Sequence, residues 1–351
     1  MHCGRDVMQV SLCHKKNTDM KTKIYYFLQL SCMLAIFGSC KKDNFTSPGT
    51  GLTVTAFSMQ KITDFAPMRV QLTNLSTPAD SYRWTIAETG QSSTAADPEF
   101  LLTRKGTYTI KLESTRAGIR ESTTQEVVVK NDPAMQALYL FSNNWVDSSD
   151  YGNNISGGHG LLRADPDRKN NAKSCINMGT MGGALFFPDN LIRNTGTATT
   201  ISMWVNANTV IRNPLLGYWK GDEPQNVNIP SIYFDDAGKL RLKFANGTVA
   251  PQITVEGLAA DTWYHIVLTG NGVVQQAYVN GVLAGTVNSD PINHGLMNSA
   301  GLGYMYVPNN STWGGLNTVT WTSLNFKGFF DDVRIYNKML SEKEVKALFE
   351  E

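Results

Sequence analysis

Asp261–Thr286, DTWYHIVLTGNGVVQQAYVNGVLAGT, is the stretch that most narrows what this chain can become. Trp263, His265 and Val267 alternate with Tyr264, Ile266 and Leu268, a period-two pattern with apolar side chains on both faces, so the strand it predicts lies between two layers. Asn271-Gly272 closes that strand, and a second β-rich run passes through Tyr278 and Val279. Asn280-Gly281 then supplies the positive-φ pair that a two-residue type I′ hairpin turn requires before Val282 returns. Three consecutive antiparallel strands are expected here.

These residues resemble the laminin-G-like, concanavalin A-like jelly rolls, whose recurring pattern is Trp-x-His-hydrophobic, a turn, then Tyr-Val-Asn/Asp-Gly. Downstream, Phe326–Val345 (FKGFFDDVRIYNKMLSEKEV) is similar to the last strand and closing helix of that family. With Tyr139-Leu-Phe near the start and Ile201-Ser-Met-Trp-Val in the middle, the resemblance spans roughly Ala137 to Phe349. It implies a jelly-roll β-sandwich with a short C-terminal helix. The fold hosts lectins, hydrolases, adhesion modules and spacers, so function must be argued from a site.

The chain of 351 residues is long enough for two domains, and 42% hydrophobic with 17% charged residues is ordinary for a globular protein. A net charge of +1, with no basic run interleaved with aromatics after residue 42, argues against nucleic acid and polyanions as partners. Lys21 and Lys23 precede an apolar run, Ile24–Phe37, that ends in Gly38-Ser39-Cys40. This resembles a bacterial lipoprotein signal, which implies acylation of Cys40, outer-membrane anchoring and a domain facing the cell surface; an ordinary secretory signal cleaved nearby is the alternative. Met20 reads as the true start, leaving 1–19 as a mis-called extension of the 1–40 leader. Residues 41–51 (KKDNFTSPGTG) have the composition of a flexible tether, and the Lys-Lys-Asp after Cys40 resembles the export signal of Bacteroidetes surface lipoproteins. Beyond the leader and Cys40 only Cys175 remains, so no intramolecular disulfide is available, and Cys175 reads as a small buried apolar residue.

Between 52 and 131, the runs LTVTAF, MRVQLTNLS, SYRWTI, GTYTIKLES and QEVVVK alternate with turn residues, as in a seven-stranded sandwich. They resemble the PKD (polycystic kidney disease) module, an immunoglobulin-like domain, although Thr85-Ile86-Ala87 replaces the turn that follows the family's Trp. The resemblance implies a spacer with Trp84 in its core. A linker at Asn131-Asp-Pro133 leads into the second domain, 137–351. There Asp147-Ser-Ser-Asp150-Tyr-Gly-Asn-Asn resembles a family turn, and the alternation in Lys239-Leu-Arg-Leu-Lys-Phe predicts a strand with one wet face. Ser341 and Glu344 form a capping box, with Leu340 and Val345 placed for a hydrophobic staple.

Hydrolysis on this scaffold needs two carboxylates at a fixed separation. Between Ala137 and Lys338 the glutamates are Glu223 and Glu256, neither in a Glu-x-Asp-x-x-Glu run, so catalysis is not expected. His265, among apolar neighbours and without a partner at ligand spacing, reads as a satisfied core histidine. By the resemblance, Asp331 and a carbonyl or side chain near Ser142 are candidate ligands for structural Ca²⁺; Asp331 as a turn-capping residue is the alternative. Sugar sites combine aromatic rings with amides and carboxylates. Two runs have that composition: one holds Tyr218, Trp219 and Asp222, the other Tyr304, Tyr306, Asn309 and Trp313. The expectation is a lipid-anchored, non-catalytic binder of extracellular glycan. The alternatives are an adhesive or structural surface protein, or an accessory to a glycoside hydrolase or lyase.

Overall fold

The computed structural model describes residues 54–351 except 78, 161–162, 190, 193–194, 219–229, 245–250, 289–299, 308–310, 314–315 and 319–321. The alternating runs of the N-terminal part form β1 (Phe57–Lys61), β2 (Met68–Asn74), β3 (Ser81–Ile86), β4 (Gln91–Ser93), β5 (Glu99–Leu102), β6 (Gly106–Arg116) and β7 (Ile119–Val129). They pair as two antiparallel sheets, β1-β2-β5 and β4-β3-β6-β7, whose inward residues meet in one core. Trp84 lies at its centre, fully buried, with its indole N–H donating to the Ala95 carbonyl at 2.9 Å and Phe57 edge-on at 5.1 Å.

The larger sandwich opens with β8 (Met135–Tyr139), β9 (Gly157–His159), β10 (Arg163–Asp165), β11 (Cys175–Asn177) and β12 (Ala184–Phe186). Its middle is β13 (Thr199–Ala207), β14 (Asn213–Tyr218), β15 (Pro230–Phe234), β16 (Leu240–Phe244), β17 (Ile253–Val255), β18 (Trp263–Gly270), β19 (Val274–Val279) and β20 (Val282–Asn288). It closes with β21 (Ala300–Leu302), β22 (Tyr304–Val307), β23 (Ser311–Trp313), β24 (Leu316–Thr318), β25 (Thr322–Asn325), β26 (Gly328–Tyr336) and the helix α1 (Glu342–Phe349). One sheet runs β10-β11-β26-β13-β18-β19-β20, with β8 also paired to β26; the other runs β17-β16-β15-β14-β21-β12-β9. The three strands expected from Asp261–Thr286 are β18, β19 and β20, and Asn280 and Gly281 adopt φ of 51° and 74° as the turn demands.

Between the sheets, Ile201, Met203 and Val205 of β13 meet Ile232 and Phe234 of β15 and Leu240, Leu242 and Phe244 of β16. The other face of the eight-stranded sheet is closed by α1. Ser341 caps that helix and Glu344 completes the box, while Leu340, Val345 and Leu348 bury against Val267, Tyr278 and Tyr336. A cap of this kind is worth about 1 kcal/mol, enough to stop a two-turn helix from fraying off the sheet. α1 covers the middle of that face, and the outer face of the seven-stranded sheet carries no helix among the described residues.

One expectation changes. Arg241 and Lys243 of β16 were to face water, but Lys243 is 1% exposed and Ser231 opposite it equally closed. β16 is an inner strand, paired with β15 along its length and with β17 over Leu240–Leu242, and alternation identifies the face its polar residues share but not what the rest of the chain lays over that face.

Candidate functional site

The outer face of the seven-stranded sheet is polar at one end and aromatic at the other. At the β15–β17 end, Arg241 donates through Nε to Asp235 Oδ2 at 2.8 Å and through a terminal nitrogen to Thr254 Oγ1 at 2.7 Å. Burial, reinforced by the Arg241 charge, pulls the neighbouring Lys243 ammonium down to about 7. Toward the centre, β22 and β25 pair as a ribbon lying over β14, where Met305 and Leu324 pack on the buried Tyr233. Gly217 makes the crossing feasible, because a Cβ there would stand 2.5 Å from the Tyr304 carbonyl oxygen.

At the β9 end three rings come together. Tyr304 meets His159 edge-on at 5.8 Å and Phe186 at 6.4 Å, and His159 meets Phe186 at 5.6 Å. Phe186 is paired across its two neighbouring strands with Gly157 and Gly301, so no Cβ stands beside its ring and the edges of His159 and Tyr304 fill that space. His159 is exposed, while Phe186 and Tyr304 are half-buried. The result is a small aromatic shelf on a rigid sheet edge, able to take a flat apolar surface against it while the imidazole offers hydrogen bonds.

Tyr304 therefore lies in a surface aromatic group, and its partners His159 and Phe186 were not singled out from the sequence. Tyr218 ends β14, paired with Ala300; Tyr306 lies in β22, paired with Ser323; Trp313 lies in β23, paired with Leu316. Because β14 runs beneath β22, the backbone brings together the described parts of the two predicted runs that lie in these strands, Tyr218 in one and Tyr304 and Tyr306 in the other. Trp219, Asp222 and Asn309 lie outside the described residues, as does Cys40.

Asp331 does not offer itself to a metal. A bulge in β26 opposite β13 places Asp331 and Asp332 side by side, with Asp332 at φ 44°. Arg168, from the loop between β10 and β11, clamps both carboxylates: one nitrogen pairs with Asp331 and the other donates to Asp332 Oδ2 at 2.9 Å. Ser142 is exposed in the loop after β8. No group of three His, Cys, Asp or Glu among the described residues is arranged to hold an ion. Calcium needs six to eight oxygen ligands, and here the carboxylate proposed as its anchor is already neutralised by a guanidinium, so Asp331 and Ser142 do not fit the ion.

The remaining candidates are structural. His265 is fully buried and bonded to Ser202 Oγ at 2.8 Å. Burial pushes the Cys175 thiol up to about 12, far from nucleophilic activation. Glu256 pairs with Lys239 at 2.6 Å on the surface, and Glu223 lies outside the described residues.

No curated protein matches the chain. Among solved structures, a botulinum neurotoxin type C structure concerned with cell entry through two ganglioside molecules is 18% identical, with a TM-score of 0.45. That match covers 61% of this chain and 50% of that one, so the chain spans about half the length of the neurotoxin chain. Domain 4 of AbnA, an extracellular arabinanase from Geobacillus stearothermophilus in complex with arabinotriose, is also 18% identical at a TM-score of 0.45, over 61% of this chain and 97% of that one. The binding domain of botulinum neurotoxin DC in complex with rat synaptotagmin II is 16% identical at 0.45, over 62% and 51%. Residues 179–346 match the family model Laminin_G_3, described as the concanavalin A-like lectin/glucanases superfamily, and the sandwich that contains them is a concanavalin A-like jelly roll.

Proposed function

We propose that the jelly roll binds extracellular glycan without catalysis, on the outer face of its seven-stranded sheet, and that the chain presents it from the outer membrane through an acylated Cys40. The observation that carries the binding reading is the shelf of His159, Phe186 and Tyr304 on the open face opposite the helix-covered one. Pyranose rings carry flat C–H faces ringed by hydroxyls, and aromatic side chains beside a hydrogen-bonding imidazole meet both demands. The non-catalytic part rests on the described carboxylates: Glu256 is tied to Lys239, and Asp331 and Asp332 to arginine.

A glycan array probed with the full chain should show binding restricted to one glycan class. Each ring contributes about 0.5–1.5 kcal/mol to binding, so the double variant His159→Ala/Tyr304→Ala is expected to bind about tenfold or more weakly while remaining folded. Undiminished binding by that variant rejects this site, and a blank array moves the assignment to a protein partner. Anchoring has its own test. Labelled palmitate should enter the wild-type chain and not Cys40→Ser, which should leave the membrane fraction; a variant that stays membrane-bound and labelled refutes it.

A further inference from the structure

A second feature of the jelly roll lies at its open side, where the edges of the two sheets face each other. β10 and β11 end one sheet and β9 ends the other. The chain between β8 and β9, residues 140–156, closes the gap between them and leaves a groove of about 440 Å³ lined by Trp145, Asn143, Asn144, Asn154, Val146 and Ile176, among others. That volume is within the range of small-molecule sites, roughly 300–1,000 Å³.

The loop is held by one buried carboxylate. Asp147 accepts from the Leu138 and Ser149 amides at 2.8 Å each, from the Ser149 hydroxyl at 2.6 Å and from the Asn153 amide at 2.8 Å. Its own N–H donates to Asn154 Oδ1 at 2.9 Å, and Ile155 N–H donates to the Trp145 carbonyl. Phe141 and Asn143 both take positive φ, at 50° and 58°. A backbone bound at this many points loses little freedom when a ligand arrives.

Trp145 is 39% exposed and Val146 52%, and the two stand side by side along the groove as a small apolar patch with a polar rim. Three carboxamides surround them. The Asn143 side chain and the Asn154 Nδ2 group form no hydrogen bond with the described protein, so their capacity is unspent by the fold. No ionisable side chain lines the groove.

From these residues we infer a second ligand site, at the sandwich edge, for an uncharged saccharide: one sugar ring lies on Trp145 and its hydroxyls bond to the Asn143 and Asn154 carboxamides. Neutrality follows from the lining, since a carboxylated or sulfated sugar would be desolvated here without a counter-charge. A carboxamide offers a donor and an acceptor side by side, which suits neighbouring hydroxyls. A purely apolar partner would leave these amides unpaired, so the chemistry favours sugar over a hydrophobic peptide. This site does not depend on the shelf around Tyr304.

The test is isothermal titration of the full chain with maltohexaose, cellohexaose, mannohexaose, arabinohexaose and, as the charged control, hexagalacturonate. At least one neutral oligosaccharide should bind, Trp145→Ala should lower its affinity about tenfold or more, and Asn143→Gly, which keeps the positive φ of that position without strain, should lower it several-fold, with both variants folded. If Trp145→Ala fails to fold, Asn143→Gly and Trp145→Phe carry the comparison, with Phe retaining most of the binding. Binding that Trp145→Ala lowers and His159→Ala/Tyr304→Ala does not assigns the sugar to the edge groove and removes it from the shelf; the reverse overturns the edge site. Failure of every neutral oligosaccharide to bind, or equal binding of hexagalacturonate, also overturns it.

Discussion

Replacing Arg168 with alanine should destabilise the folded chain by about 3–5 kcal/mol, the range for removing one partner of a buried ion pair. The guanidinium is 8% exposed, bridges Asp331 and Asp332, and lies 4.4 Å over the Trp204 ring. Around it the charges balance. Arg104, from the N-terminal sandwich, donates to Asp332 Oδ1 at 2.7 Å and Glu351 Oε2 at 2.9 Å, and Arg334 also pairs with Glu351. Three guanidiniums meet three carboxylates, so removing one leaves an uncompensated anion beside a second anion, away from water. Burial and the neighbouring Asp332 already raise Asp331 against the pull of Arg168. Burial would likewise raise Asp332, but Arg334, Arg104 and Arg168 together hold it far below the usual carboxylate range. Asp331 is therefore the group that takes up a proton when the guanidinium is lost. The deficit of Arg168→Ala should shrink as pH falls, and Asp331→Asn in the same chain should recover part of it. Lysine should not substitute, because a point charge cannot bridge two carboxylates as a planar fork does. Urea unfolding of the wild type and these three variants decides this: a loss below about 1 kcal/mol for Arg168→Ala would show that the network contributes little.

That network also marks the limit of what was legible in the sequence. Asp331 reads as an anionic position in need of a cation. Whether the cation is a metal or an arginine depends on which loop folds over it, and Arg168 lies 163 residues away. The bulge that sets two carboxylates side by side is likewise invisible as a pattern, since Asp-Asp-Val-Arg read at period two would send Asp331 and Asp332 to opposite faces. Local chemistry was legible throughout. The Asn280-Gly281 turn, the Ser341 and Glu344 capping box and the strands around Trp84 all rest on interactions within a few residues, and each is found.

The candidate site was half legible for the same reason. An aromatic such as Tyr304 in a polar run stands out, but its partners come from strands far apart in the chain. Gly157-Gly158-His159 looks like a loop until β9 is seen pairing with β12, and Phe186 looks like core until glycines on both sides are seen to give its ring room at the surface. A glycine opposite an aromatic across two strands is a pairing signal that only the register supplies. The polar face of β16 failed in the opposite direction: alternation identified Arg241 and Lys243 as sharing a face, but the cover that closes that face at Lys243 comes from parts of the chain distant in sequence, which a local pattern does not record.

His265 should make the chain acid-labile in a defined window. It is fully buried, its Nε2 is bonded to Ser202, and its Nδ1 has no partner among the described residues, so an imidazolium would hold a buried donor with nothing there to accept from it. Burial is the main cause that lowers its pKa to about 3; Arg334 and Arg168 lower it further, and Asp332 opposes them. The unfolded chain binds this proton near pH 6.5 and the folded chain does not until about pH 3. The unfolded state therefore holds more protons throughout the interval, and stability rises with pH there: the contribution is complete above about 6.5 and is lost as pH falls toward 3. The slope from this one group is about 1.4 kcal/mol per pH unit. Carboxylates titrate in the same range, so the informative quantity is the difference between the wild type and His265→Gln. The variant starts less stable at pH 7, because it disturbs the bond to Ser202 and the stacking on Trp204 and Phe349 at 5.2 and 6.2 Å, but its stability should fall less steeply between pH 6 and 4. Denaturant titrations at pH 7, 6, 5 and 4 measure both slopes. Parallel slopes would mean that His265 takes up its proton in the folded chain as readily as in the unfolded one, which a donor without an acceptor in a closed core should not allow.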